Sequence, residues 1–98
     1  MIRIICLGMV VKDIVFYVNQ IPSTPQKITA ESFEEKFGGM AATAAAAVAA
    51  LGGNAEFWGR VGDDEIGRNA IEAFNMRGVS TRVKKTHNAQ SPVSAVIV

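Results

Sequence analysis

RIICLG (3–8) is a short unbroken apolar run closed by glycine, the pattern of a strand buried on both faces at the centre of a parallel sheet. DIVFYVNQIP follows, aromatic and β-branched from Ile14 to Val18, and IPSTPQ then supplies two prolines and polar turn-formers. In KITAESFEEKF (27–37), Ile28, Ala30, Phe33 and Phe37 alternate imperfectly with charge, as in a strand with one wet face. Together these stretches predict a hairpin-like excursion after the first strand. FGGMAATAAAAVAALGG (37–53) carries no charge, and alanine's helix propensity predicts a helix over 40–51. With no charged face, that helix is expected to be covered all round. AEFWGR (55–60) reads as a second core strand. In DDEIGRNAIEAFNMRG (63–78), Ile66, Ala70, Ile71 and Phe74 recur at helical spacing, Asp63 or Asp64 can cap the start, and Gly78 can close the end. Residues 79–90 are polar and basic with scattered β-branching, and SPVSAVIV (91–98) predicts a last strand.

The order strand, excursion, helix, strand, helix, extended segments implies an α/β fold with a parallel sheet and right-handed βαβ crossovers. A chain of 98 residues is enough for one small domain. A dinucleotide fingerprint belongs directly after the first strand, where LGMVVKD offers only Gly8, so nicotinamide binding is not indicated. The apolar run to Val98 has no turn or polar tail, and the chain is expected to be a piece of a longer protein.

Composition removes several function classes. Ten Lys plus Arg against nine Asp plus Glu leave a net charge of +1, which argues for neither nucleic acid nor a membrane surface as partner. With 49% hydrophobic and 19% charged residues the chain is expected to fold. The single cysteine, Cys6, excludes a disulfide framework or a cysteine metal cluster within one chain, and its apolar neighbours predict a buried thiol and a reducing, cytoplasmic setting. MIRIICLGMVV lacks a small-residue cleavage site, so no signal peptide is expected. The charge-free stretch 37–55 is too rich in alanine, glycine and threonine for a spanning helix.

The candidate chemistry lies around the alanine helix. Gly38 and Gly39 permit a tight turn before its first free N–H groups, a favourable place for oxygen-rich or anionic groups. Thr43, the helix's only hydroxyl, lies in the first turn and either points the same way or bonds back to a carbonyl. Asp13 follows the first strand's carboxyl end, where ligands bind in open α/β sheets; it either accepts two sugar-type hydroxyls or caps a turn. Lys27, in the turn of the excursion, either reaches an anionic group or is solvated. His87, with Asn88 and Gln90, reads as structural or exposed.

Gly38, Gly39 and the small-residue helix, then LGG (51–53), GRVGDDEIG (59–67) and RGVST (77–81), resemble the first signature region of the ribokinase-like, phosphofructokinase-B type carbohydrate kinases. Asp13 and the excursion agree in order, and the resemblance covers essentially all 98 residues as the N-terminal third of such an enzyme. It implies a Rossmann-like ribokinase fold, with core segments 1–13 and 38–78 and a small β lid from 14–37 and about 88–98. It also implies ATP- and Mg²⁺-dependent phosphoryl transfer to a sugar hydroxyl. Asp13, Gly38 and Gly39 are implied to line the sugar pocket. Thr43 stands where the family usually has asparagine, and Val11 where it often has a second polar residue. Lys27 with Thr43 is similar to the sulfofructose kinase branch, whose substrate has an anionic tail. The catalytic base is implied to lie in a downstream Gly-Ala-Gly-Asp motif, so no catalytic or metal-binding residue is expected in this chain; Asp63 and Asp64 are read as helix caps and the piece alone as inactive. Phe16, Val18, Ile28 and Phe33 suggest a lid face that packs on a second subunit, giving a homodimer. The alternative is a non-catalytic sugar-binding or dimerising α/β module.

Overall fold

The computed structural model describes residues 2–98. In chain order its elements are β1 (Arg3–Leu7), β2 (Val11–Tyr17), β3 (Ser32–Gly38), α1 (Met40–Ala50), β4 (Asn54–Gly62), α2 (Glu65–Met76), β5 (Ser80–Thr86) and β6 (Val93–Ile97). They form an α/β fold with two three-stranded sheets. One is parallel in the order β1-β4-β5; in the other, β2 lies between antiparallel β3 and parallel β6. Among the described residues no helix is long and apolar enough to cross a membrane.

The apolar first strand does not sit centrally as its composition predicts. The connections through α1 and α2 carry the chain from β1 to β4 and on to β5, so the sheet grows to one side and β4 becomes the middle strand. On β1, Ile4, Ile5 and Leu7 are exposed, and Cys6, expected as a buried thiol, is half-buried. The polar segment 79–90 supplies the third strand instead: Thr81 and Val83 turn inward between exposed Arg82 and Lys84.

The core lies between this sheet and the two helices. Phe57 of β4 is fully buried and stacks on Phe74 of α2 with ring centroids 4.5 Å apart. Each such side chain contributes about 1.5–3 kcal/mol by burial. Ala70 and Val79 close around the pair, and Ala42, Ala45, Ala55 and Val61 continue the core beneath α1. Helix α2 follows its predicted pattern, with Ala70 and Phe74 buried and Ile66 and Ile71 partly so. Helix α1 departs from expectation: only Ala42 and Ala45 are buried, whereas Met40, Thr43, Ala44 and Ala47 are exposed. A charge-free sequence left this helix without a marker for its outer side, and contact with β1 and β4 covers a single stripe of it.

The excursion forms the β3-β2-β6 sheet, but its strands begin earlier and later than the apolar runs suggest. β2 starts at Val11, so Asp13 lies within a strand, and β3 starts only at Ser32. Alternation places Asp13, Val15, Tyr17, Glu34, Lys36 and Ser94 on one face, and Ile14, Phe16, Phe33, Ala95 and Ile97 on the other. Phe16 sits opposite Phe33, ring centroids 6.2 Å apart. Val18 and Ile28 fall outside the strands in the irregular segment 18–31, so of the expected four-residue apolar face Phe16 and Phe33 stand on the sheet, joined there by Ile14, Ala95 and Ile97.

Candidate functional site

The site takes shape where β3 ends and α1 begins. Cross-strand register places Asp13 between Lys36 of β3 and Ser94 of β6. The Ser94 hydroxyl donates to Asp13 Oδ1 at 2.5 Å, leaving Oδ2 directed at Gly38. A Cβ on Gly38 would overlap that oxygen, so the carboxylate lies directly against the backbone turn. Gly39 then adopts φ 99°, ψ 146°, and a Cβ there would sit 2.6 Å from the Met9 carbonyl oxygen. Only glycine enters this conformation without strain, and the close approach brings the start of α1 onto the chain leaving β1.

Two features make the start of α1 receptive to oxygen-rich groups. No side chain caps it, and its hydrogen-bond ladder begins with the Thr43 N–H donating to the Gly39 carbonyl at 2.9 Å, so the amides of Met40 to Ala42 precede the ladder. Thr43 itself is exposed one turn in. It lines an open groove of about 390 Å³ between β3, α1 and α2, together with Lys36, Phe37, Phe74 and Arg77.

Asp13, Gly38 and Gly39 are thus brought together, and Thr43 lies one turn beyond. Lys27 is exposed in the 18–31 segment and is absent from both the groove and the ion pairs among the described residues. The lysine beside Asp13 is Lys36, which the sequence reading missed, as it missed Ser94. The available signal was register: once the β2 and β3 strands are aligned, Lys36 falls opposite Asp13.

The whole chain, residues 1–98, matches the pfkB family carbohydrate kinase profile. It belongs to that family. Similar proteins include the probable fructokinase-7 of Arabidopsis thaliana, 31% identical over 94 residues, with 95% of this chain and 26% of the relative covered. A ribokinase from Giardia lamblia superposes with TM-score 0.90 at 26% identity, covering 100% of this chain and 30% of that one. A ribokinase from Arabidopsis thaliana complexed with ribose and ATP gives TM-score 0.79 at 27% identity, covering 95% and 31%. The chain therefore spans under a third of the length of these pfkB relatives.

In this pfkB chain the second glycine-rich motif has a structural task. Asp64 is the N-cap of α2: its Oδ1 accepts from the Gly67 N–H at 2.8 Å and from the Ser91 hydroxyl at 2.7 Å, and its Oδ2 from the Ser91 N–H at 2.8 Å. The Ser91 hydroxyl accepts in turn from the Gly62 N–H at 2.9 Å. These bonds tie the β5-β6 connection to the start of α2. Asp63 pairs with Arg68 at 3.7 Å instead. His87 and Gln90 are exposed, as expected of structural or surface residues.

The Ser91 N–H and hydroxyl, followed by the Gly67 N–H, hold the Asp64 carboxyl below the usual carboxylate range. Because the folded value is the lower one, Asp64 contributes its full stabilisation above the unfolded value of about 3.9 and loses it as pH falls through the depressed folded value. Asp64→Asn is therefore expected to melt below the parent at pH 7, with the gap narrowing as pH falls from about 4 toward about 2. Thermal melts of both proteins across that range check it, and a pH-independent gap would refute it.

Proposed function

We propose that the complete protein is an ATP-dependent carbohydrate kinase and that this chain supplies its sugar-binding and lid part. The observation that carries the reading is the Asp13 carboxylate laid against Gly38 at the uncapped start of α1. A carboxylate accepts hydrogen bonds from adjacent sugar hydroxyls, while backbone N–H groups at the helix start donate to sugar oxygens, a pairing suited to polyols. Family membership supports phosphoryl transfer, and ATP in solved relatives supports the nucleotide. With ATP and Mg²⁺ bound, the chemistry supplied is transfer of the γ-phosphoryl group. Asp64 does not fit the role of base or Mg²⁺ ligand, since both its oxygens are committed to Gly67 and Ser91. We assign the base and the ATP and Mg²⁺ ligands to the part of the family length that this chain does not span, as the resemblance to the family implies.

The apolar lid face of Ile14, Phe16, Phe33, Ala95 and Ile97 supports lid-to-lid dimerisation, because these side chains leave Phe33 and Ile97 more than half exposed. Thr43 and Lys27 support a substrate with an anionic tail: threonine is shorter than asparagine and leaves room, and the lysine sits on a segment continuous with the lid. The test is a panel of neutral, phosphorylated and sulfonated sugars with the complete protein. Phosphorylation of at least one sugar, with Lys27→Ala losing about tenfold or more in kcat/KM selectively for anionic members, is expected. Equal activity of Lys27→Ala across the panel refutes the anionic-tail assignment, and no phosphorylation of any sugar refutes the kinase reading in favour of a non-catalytic sugar-binding module.

A further inference from the structure

Asp13 sits on a sheet that the core holds from one end. β2 is parallel to β6 and antiparallel to β3, so the starts of β2 and β6 and the end of β3 lie together at that end. Among the described elements, only α1 and β3 are in more than marginal contact between the core and this sheet, so three chain crossings carry the attachment. The strand order β3-β2-β6 puts Gly38 and Gly39 behind one edge and Ser91 and Pro92 behind the other.

The two edges are held differently. At the β3 edge the backbone of Gly39 lies on the Met9 carbonyl, and no side chain caps the helix that follows. At the β6 edge the hydrogen bonds form a closed, buried set. Ser91 is 7% exposed; its N–H and hydroxyl both donate to Asp64, and its hydroxyl accepts from the Gly62 N–H. Two glycines shape this seat. A Cβ on Gly62 would overlap the Ala89 carbonyl oxygen and lie 2.7 Å from the Ser91 nitrogen, and one on Gly67 would overlap the Gly62 carbonyl oxygen. Segment 89–91 is thus pressed onto the end of β4 where a side chain would not fit. Capping α2 requires only the bond from the Gly67 N–H to Asp64 Oδ1. The two bonds from Ser91 are additional to that task, and what they fix is the entry to β6.

From this seat the path to Asp13 is short. The carbonyl of Pro92, the next residue, accepts from the Lys12 N–H at 3.0 Å, and Lys12 and Asp13 then pair with Val93 and Ser94 in the parallel β2-β6 ladder. We infer that Ser91 and Asp64 are positioning residues for sugar binding: their bonds fix the β6 edge, and the β2-β6 ladder then keeps the Asp13 carboxylate against the start of α1. The inference rests on the kinase reading, because it takes Asp13 as the sugar's acceptor. With both edges fixed the sheet cannot turn about the glycine pair. With the Ser91 bonds broken it pivots there, and Asp13 is in place for only a fraction of the time. Sugar affinity falls by that fraction, whereas saturating sugar draws the sheet back and restores turnover.

The test is steady-state kinetics of the complete protein, assayed well below every melting point. Ser91→Ala removes the hydroxyl that bridges Asp64 and Gly62. Asp64→Asn keeps an acceptor oxygen for Gly67 but sets an amide NH₂ against the Ser91 N–H. Each is expected to raise KM for the sugar about tenfold with kcat within about twofold of the parent. Val79→Ala, a core truncation away from the β6 entry, is the control for a purely structural loss: it is expected to melt lower as well, yet to keep the parent KM. Amide hydrogen exchange reads the anchor without sugar, and in both Ser91→Ala and Asp64→Asn the β2 amides are expected to exchange about tenfold faster while those of β4 keep the parent rate. The parent KM in both variants, a loss confined to kcat, or an equal rise in KM for Val79→Ala would overturn the inference. An active parent whose variants keep its KM rejects the positioning role alone. A parent inactive on every sugar, with β2 exchange quickened in the variants, rejects the kinase reading while the anchor stands.

Discussion

Replacing Asp13 by alanine in the complete protein is expected to lower kcat/KM for sugar phosphorylation about a thousandfold while leaving the melting temperature within a few degrees of the parent. Asp13 is half-buried, and one oxygen is already bonded to Ser94, so its removal strands only a hydroxyl that water can reach. Sugar binding has more to lose. Hydrogen bonds to an ionised group contribute about 1.5–3 kcal/mol each, so two to sugar hydroxyls give about 3–6 kcal/mol, on the order of 10²–10⁴ in rate. Part of that loss is expected in kcat, because a sugar free to rotate no longer presents its hydroxyl in line with the phosphoryl donor. Ser94→Ala is the control: it frees Oδ1 without removing charge and is expected to change kcat/KM by less than about tenfold. Steady-state kinetics on both variants decide the matter, and an Asp13→Ala enzyme within about tenfold of the parent removes Asp13 from the sugar site.

What could be read from the sequence followed from local rules. The α2 stripe, the Asp64 cap and the glycine pair before α1 each depend on residues a few positions apart, and each appears where spacing places it. The errors came from partners far along the chain. RIICLG has the composition of a central strand, but centrality depends on where β4 and β5 settle, and both settle on one side. The absence of charge in the alanine helix predicts cover all round, although small side chains tolerate water at little cost and need no such cover. Lys36 and Ser94 flank Asp13 only through register across two strand pairs, one of them joining residues 81 positions apart. Glu56 carries no local sign of burial, because its partners Arg3, Trp58 and Arg82 come from three separate strands. Chemistry assembled by long-range register leaves no mark in any single window of sequence.

The two glycines before α1 are expected to separate fold from function. Gly39→Ala should cost stability first. Its φ of 99° lies where side chains are strained by about 1–3 kcal/mol, and its Cβ would meet the Met9 carbonyl oxygen, a backbone atom fixed between β1 and β2. The expected fall in melting temperature is about 5–10 °C. Gly38→Ala meets a different obstacle. Its φ is not positive, and the atom in the way is Oδ2 of Asp13, the end of a side chain that can swing aside. That variant is expected to melt within about 2 °C of the parent, since rotating one half-exposed carboxylate disturbs no core contact. Yet, on the proposed reading of Asp13 as the sugar's acceptor, the swing moves that acceptor away from the start of α1, and a displacement of about 1 Å is enough to lose on the order of 10² in rate. Melting curves and kcat/KM for the pair therefore run in opposite order: Gly39→Ala the less stable, Gly38→Ala the catalytically weaker at a temperature where both are folded. Equal kinetic losses at equal stability would mean that Asp13 and the glycine turn do not act on the sugar together.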